Sequence, residues 1–147
     1  DRTLEIGPLR VRFVRGRHYV PAWGVVVEAP DGARLGYTGD TGPSDVVVEA
    51  MRGVDLLLIE AALQTSVYDD AERGHLTAEE ALDLARAAGA RSTMLVHYAP
   101  TRRPELDALC AVSGMRVRPA IDGAVVTVTG PRAPEVAIDP YPGLTTV

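Results

Sequence analysis

Three strand-like apolar segments of this chain each end in a residue able to do chemistry. Asp40 follows segment 33–39, Glu60 follows segment 54–59, and His97 follows segment 93–96. A carboxylate or imidazole at the mouth of a buried strand is costly unless something pairs with it, and a metal ion is an effective partner. If the strands run parallel, their carboxyl ends share one edge, where open α/β sheets build sites. The other two histidines also stand at boundaries. His18 lies in a loop after an arginine-rich strand. His75 lies just ahead of a helix, where the positive end of the dipole keeps the ring neutral and able to ligate a metal or move a proton. Singly, each residue has a plainer use: Asp40 as a helix cap, Glu60 as a structural carboxylate, His97 as a hydrogen-bonded core histidine, His18 as an exposed loop residue. Their convergence at element ends, beside one Asp-Thr-Gly turn, points to a metal centre or proton-transfer site.

The elements that would position these residues follow from periodicity. Alternation over 4–15 predicts one or two strands, and segments 24–29 and 33–40 read as a hairpin around Pro30-Asp31-Gly32. A helix is expected over 44–52, closed by Gly53, and a strand covered on both faces over 54–60. A polar loop at 64–74 leads to the clearest helix, where Thr77 and Glu80 form a capping box. There Ala81, Leu84, Ala85 and Ala88 make an apolar stripe, and Gly89 ends the helix. Segment 92–97 reads as another buried strand. A third helix over 104–112 carries Leu106, Leu109 and Cys110 on one face, which places Cys110 in the core. Segment 124–130 is expected to be the last strand. Four prolines after it mark 131–147 as an irregular tail beside a domain over 1–130. Strands alternating with helices give an α/β fold class.

Composition narrows the function classes. With 147 residues, 46% apolar and 24% charged, the chain has the make-up of one globular domain or a piece of one. A single cysteine allows no internal disulfide, and no apolar run approaches the roughly 20 residues that span a bilayer, so the expectation is a cytoplasmic protein with no membrane partner. The net charge is −5 and every basic residue is arginine. Five arginines fall within the first seventeen positions and read as a solvated strand face. Residues 28–80 hold twelve carboxylates against three arginines, a poor surface for nucleic acid. The opening at Asp1, without a methionine, suggests a processed or cropped polypeptide.

The ordered series His18, Tyr37-Thr38-Gly39-Asp40-Thr41-Gly42, Leu56-Leu57-Leu58-Ile59-Glu60-Ala61, Gly74-His75-Leu76-Thr77-Ala78-Glu79-Glu80-Ala81 and Leu95-Val96-His97 resembles the later motifs of the metallo-β-lactamase superfamily. It is most similar to the ribonuclease Z-like and small phosphodiesterase-like branch. The resemblance implies a four-layer αββα sandwich of which this chain supplies the second half. It implies two divalent transition-metal ions, zinc first, with manganese or iron also admitted. It makes His18 a ligand of the first ion, Asp40 the bridge between both, and His97 a ligand of the second. Glu60 and His75 become proton-transfer partners, so that His75, Glu60 and Asp40 are the catalytic candidates. Two such ions sharing a carboxylate can lower the pKa of a bridging water and clamp an in-line displacement.

No His-x-His-x-Asp-His run occurs in the sequence, so the remaining ligands are expected from a missing amino-terminal half. Only a hairpin separates His18 from Asp40, where transfer-RNA-processing members carry a long substrate-grasping arm. The expected activity is therefore phosphodiesterase-like hydrolysis of a small or modest substrate. The alternative is a non-catalytic half-domain whose uncovered sheet associates with a partner chain or forms a homodimer. A third reading takes Asp40-Thr41-Gly42 as an aspartic-protease turn. It conflicts with Gly39 before the aspartate and with the helices that follow.

Overall fold

The alternation at the amino terminus resolves into two strands, β1 (Arg2–Ile6) and β2 (Leu9–Arg15), joined by a tight turn in which Gly7 takes φ 58°. The computed structural model describes residues 2–64, 73–130 and 138–139. β3 (Trp23–Glu28) and β4 (Arg34–Tyr37) extend this antiparallel meander. The pairing then changes sense. β5 (Leu56–Glu60), β6 (Ser92–Val96) and β7 (Val117–Pro119) each add in parallel to the strand before, giving a seven-stranded sheet in sequential order.

Helices supply the crossovers that parallel pairing requires. α1 (Asp45–Ala50) is capped by Ser44, whose hydroxyl accepts from the Val47 N–H. α2 (Ala78–Ala88) has the expected reciprocal capping box and ends at Gly89 with φ 64°. α3 (Arg103–Val112) follows a 3-10 turn, Pro100–Arg102.

The core fills one face of the sheet. Val14, Val26, Leu57, Ile59 and Leu95 meet Val47 and Met51 from the α1 end, Ala81 and Ala85 from α2, and Leu106 and Cys110 from α3. Gly36 lets the α1 end close on the sheet, since a Cβ there would lie 2.7 Å from the Met51 Sδ. Burial, aided by the Asp107 carboxylate, pushes the Cys110 thiol above its ordinary pKa. Thiolate is the reacting species. Cys110 is therefore expected to alkylate on the order of tenfold more slowly in the native protein than in urea, as read by iodoacetamide labelling and mass spectrometry. Equal rates would place the thiol outside the core.

The opposite face carries a second apolar set. Leu4, Val11, Val27, Leu35 and Leu56 form one cross-strand row, and Phe13, Val25, Tyr37, Leu58 and Met94 form the next. The helix-packed core includes none of them.

The last strand differs from expectation. Segment 124–130 contributes only Val125–Val126, which pair with Ile138–Asp139 in a separate two-stranded sheet. A turn at Ile121–Ala124, with Gly123 at φ 84°, directs it away from the main sheet. Gly130 then packs against the Asp31 carbonyl, where a Cβ would lie 2.5 Å away. The seventh place in the main sheet goes to β7, whose Val-Arg-Pro sequence carries little strand signal. Within the stretch expected to be irregular, Ile138–Asp139 is thus ordered. Residues 65–72 of the polar loop and the rest of 131–147 lie outside the described residues.

Candidate metal centre

Parallel pairing of β4, β5 and β6 brings Asp40, Glu60 and His97 to one edge of the sheet. Asp40 is reached through Gly39, which takes φ 61° and whose Cβ would sit 2.6 Å from the Trp23 carbonyl oxygen. Glu60 is the last residue of β5 and is fully buried, at 0% exposure. Its Oε1 accepts from the Thr41 N–H at 2.7 Å and from His75 Nδ1 at 2.8 Å. Its Oε2 accepts from the Leu76 N–H at 3.2 Å and the Ala62 N–H at 3.3 Å. One side chain thus ties together the loop after β4, the loop after β5 and the approach to α2. Because both oxygens are occupied by N–H donors, Glu60 acts as a positioning group for His75.

The His75 tautomer follows from this network. The Glu60 carboxylate accepts, so His75 Nδ1 donates to it, and His75 Nε2 faces His18 Nε2 at 3.2 Å. Arg73 anchors the segment ahead of His75 by pairing with Glu80 at 2.6 Å. Between them Gly74 leaves room for the His18 and Tyr19 rings, which a Cβ would meet at 2.9 and 2.8 Å.

His97 stands just past β6 with φ 53°, a left-handed conformation that costs a non-glycine residue roughly 1–2 kcal/mol. That turn aims its Nδ1 at Asp40 Oδ1, 3.0 Å away. The His75 and His97 rings meet edge to face at a centroid distance of 5.4 Å. Asp40, Glu60, His75 and His97 each offer a ligand atom within 4.8 Å of the others. His18 stands outside this group of four and joins it through His75. Burial, then the Asp40 and Glu60 carboxylates, push the Tyr37 phenol above its usual pKa, so it remains a proton-bearing group beside the site.

Imidazole nitrogen and carboxylate oxygen are donors that suit zinc, manganese and iron, so the residue types present fit a divalent transition metal. With Glu60 occupied by N–H donors, Asp40, His97, His75 and His18 are the residues left to ligate.

Several contacts that build the site could not be read from the sequence. The Thr41 N–H holds Glu60, and its Oγ1 accepts from the Arg17 N–H while donating to the Gly42 carbonyl. Arg102 is buried and clamps the Ala61 and Leu63 carbonyls, fixing the loop after β5. A buried arginine in a polar run is indistinguishable in sequence from an exposed one. Gly42 passes so close to the Arg73 main chain that a Cβ would lie 2.1 Å from its carbonyl oxygen. Gly42→Ala is expected to destabilise the protein by about 3 kcal/mol through forced displacement of that strand-end loop, read by urea denaturation. A cost below about 1 kcal/mol would mean the loop yields freely.

The model of the beta-lactamase superfamily domain matches residues 1–98. Ribonuclease Z of Haloarcula marismortui is 41% identical over 106 residues, 69% of this chain and 32% of that protein. An uncharacterized protein of Mycobacterium tuberculosis is 40% identical over 100 residues, 68% of this chain and 36% of that one. Among solved structures, the metallo-beta-lactamase fold protein YhfI of Bacillus subtilis superposes with a TM-score of 0.67 at 23% identity, covering 82% of this chain and 50% of that one. The chain belongs to the metallo-β-lactamase superfamily, in its ribonuclease Z-like branch. The family implies divalent metal ions, and the donor cluster at the sheet edge is where they would be held. The chain spans about a third of the length of the curated relatives it matches. No helix among the described residues is long and apolar enough to cross a membrane.

Proposed function

We propose that this chain carries the carboxyl-terminal share of a dinuclear metal site in a phosphodiesterase-like metallo-hydrolase. The observation that carries this reading is the approach of Asp40, Glu60, His75 and His97 ligand atoms within 4.8 Å at the carboxyl edge of parallel strands. When bound, zinc ions, or manganese or iron in their place, would supply an activated water and charge neutralisation. Asp40, His97 and His18 are the residues that would hold the ions. His75 manages the proton of the departing oxygen: its Nδ1–H is committed to Glu60, which leaves Nε2 to exchange a proton. Glu60 fixes the orientation of that ring.

The remaining ligands come from an amino-terminal half, whose sheet covers the second apolar face, the rows around Val25 and Tyr37. The acidic run from 28 to 80 favours a small phosphodiester over a long polyanion, and the lone buried Cys110 suits the cytoplasm. The test uses the full-length gene product. Two equivalents of metal by inductively coupled plasma mass spectrometry, with chelator-sensitive hydrolysis of bis(p-nitrophenyl) phosphate exceeding that of a β-lactam, is the expected result. A metal-free protein, or one that prefers the β-lactam, would overturn the proposal.

The apolar second face also favours one other reading: a non-catalytic half-domain that uses this surface to bind a partner chain or a second copy of itself. A monomeric full-length protein in sedimentation, with both metals bound, would eliminate it.

A further inference from the structure

The His97 side chain is 50% exposed, against 21% for His75 and 1% for Glu60, so packing does little to aim its ring. The backbone must do so instead. That backbone is left-handed, with φ 53°, a conformation that persists only where the surroundings over-determine it. The sheet fixes the near side of the turn: the Val96 carbonyl accepts from the Ala61 N–H at 3.0 Å. Tyr98 fixes the far side.

The half-buried Tyr98 ring packs against the helix-side core. Its hydroxyl donates to the Ala120 carbonyl, and the Ala120 N–H donates in turn to the Leu95 carbonyl at 2.8 Å. With the chain from Leu95 to Tyr98, these two bonds close a ring around His97. The turn cannot open while both hold. The segment that follows has anchors of its own. Arg102 donates through its guanidinium to the Ala61 and Leu63 carbonyls and through its main chain to the Ala99 carbonyl at 2.8 Å. A phenylalanine at position 98 would therefore keep the ring packing and these anchors, and lose only the tie to Ala120.

We infer that Tyr98 is a positioning residue of the metal centre: through Ala120 its hydroxyl holds the left-handed turn, and with it the aim of the His97 imidazole at Asp40. The inference rests on the metallo-hydrolase reading above and adds to it a residue outside the donor cluster. Tyr98 acts through the backbone of a ligand and touches no ion.

The test uses the full-length protein, with Ser113→Ala as control. Ser113 also ties a hydroxyl to a carbonyl, that of Cys110 at 2.8 Å, at the end of α3 away from His97. In the metal-free protein, the Ala120 amide hydrogen should exchange on the order of tenfold faster in Tyr98→Phe than in wild type, because a local opening becomes easier. In the zinc-loaded protein, release of zinc to a chelator should be on the order of tenfold faster, the scale typical of groups that orient ligands. Cobalt(II) in place of zinc should show displaced ligand-field bands in Tyr98→Phe. Ser113→Ala should change none of the three. Unaltered Ala120 exchange, unaltered bands, zinc release within about twofold of wild type, or the same acceleration in Ser113→Ala would each overturn the inference. Wild-type protein that binds no metal would sink the metallo-hydrolase reading instead, and the exchange of Ala120 would still decide whether Tyr98 holds the turn.

Discussion

Glu60→Ala is expected to cost the protein about 4 kcal/mol of stability, measured by urea denaturation of the purified protein. The substitution strands three backbone N–H groups, those of Thr41, Ala62 and Leu76, together with His75 Nδ1. An orphaned buried donor costs roughly 1–3 kcal/mol, and breaking a buried charged network commonly costs 3–5. Some relaxation and water entry keep the total below the simple sum. Glu60→Gln should cost about half as much, because the amide retains one acceptor oxygen while its NH2 group faces two donors. It should also release His75, so that turnover of the full-length enzyme falls further than stability alone would dictate. A loss below about 1 kcal/mol for the alanine variant would show that the three loops hold without their common acceptor.

Asp40→Ala is expected to strip the centre of metal and reduce kcat/KM on the order of 100-fold or more. Even residues that only orient ligands change metal affinity or activity by 10–100-fold, and the proposed function makes Asp40 a direct ligand. Its loss also removes the partner of His97 Nδ1, so the imidazole held at φ 53° loses what fixes its direction. Metal per chain, counted after dialysis against metal-free buffer, is the direct readout. The side chain is half-buried at the sheet edge and supports no core contact, so stability of the apo-protein should change by less than about 1 kcal/mol. Unchanged metal content in Asp40→Ala would overturn the assignment.

Much of this arrangement was legible in the sequence because the strongest local signals bear directly on it. The near-continuous apolar run of β5 announced a strand covered on both faces, and the Thr77 and Glu80 pair announced the start of α2, which fixed His75 just before a helix. Asp40, Glu60 and His97 at successive strand ends met once those strands proved parallel. Family motifs added the expectation that these side chains hold a metal. What stayed hidden depends on tertiary pairing. β7 is three residues, Val-Arg-Pro, and earns its place by hydrogen bonding to β6 beyond any propensity of its own. Segment 124–130 shows the reverse case: alternation is strong, yet a two-residue ribbon with Ile138–Asp139 takes it off the sheet. The tie from His18 to His75 spans 57 positions, and the clamp of Arg102 on Ala61 spans 41. No spacing rule reaches that far.

The change of sense between β4 and β5 also orders the assembly of the molecule. The first four strands meet their neighbours across short turns, so they can zip together early at little loop-closure cost. The strands that present Glu60 and His97 must wait for crossovers through α1 and α2, and such non-local closures are slow. The carboxyl edge of these strands is therefore expected to form after the amino-terminal meander, and an ion held there would add its binding energy only to chains that have folded that far.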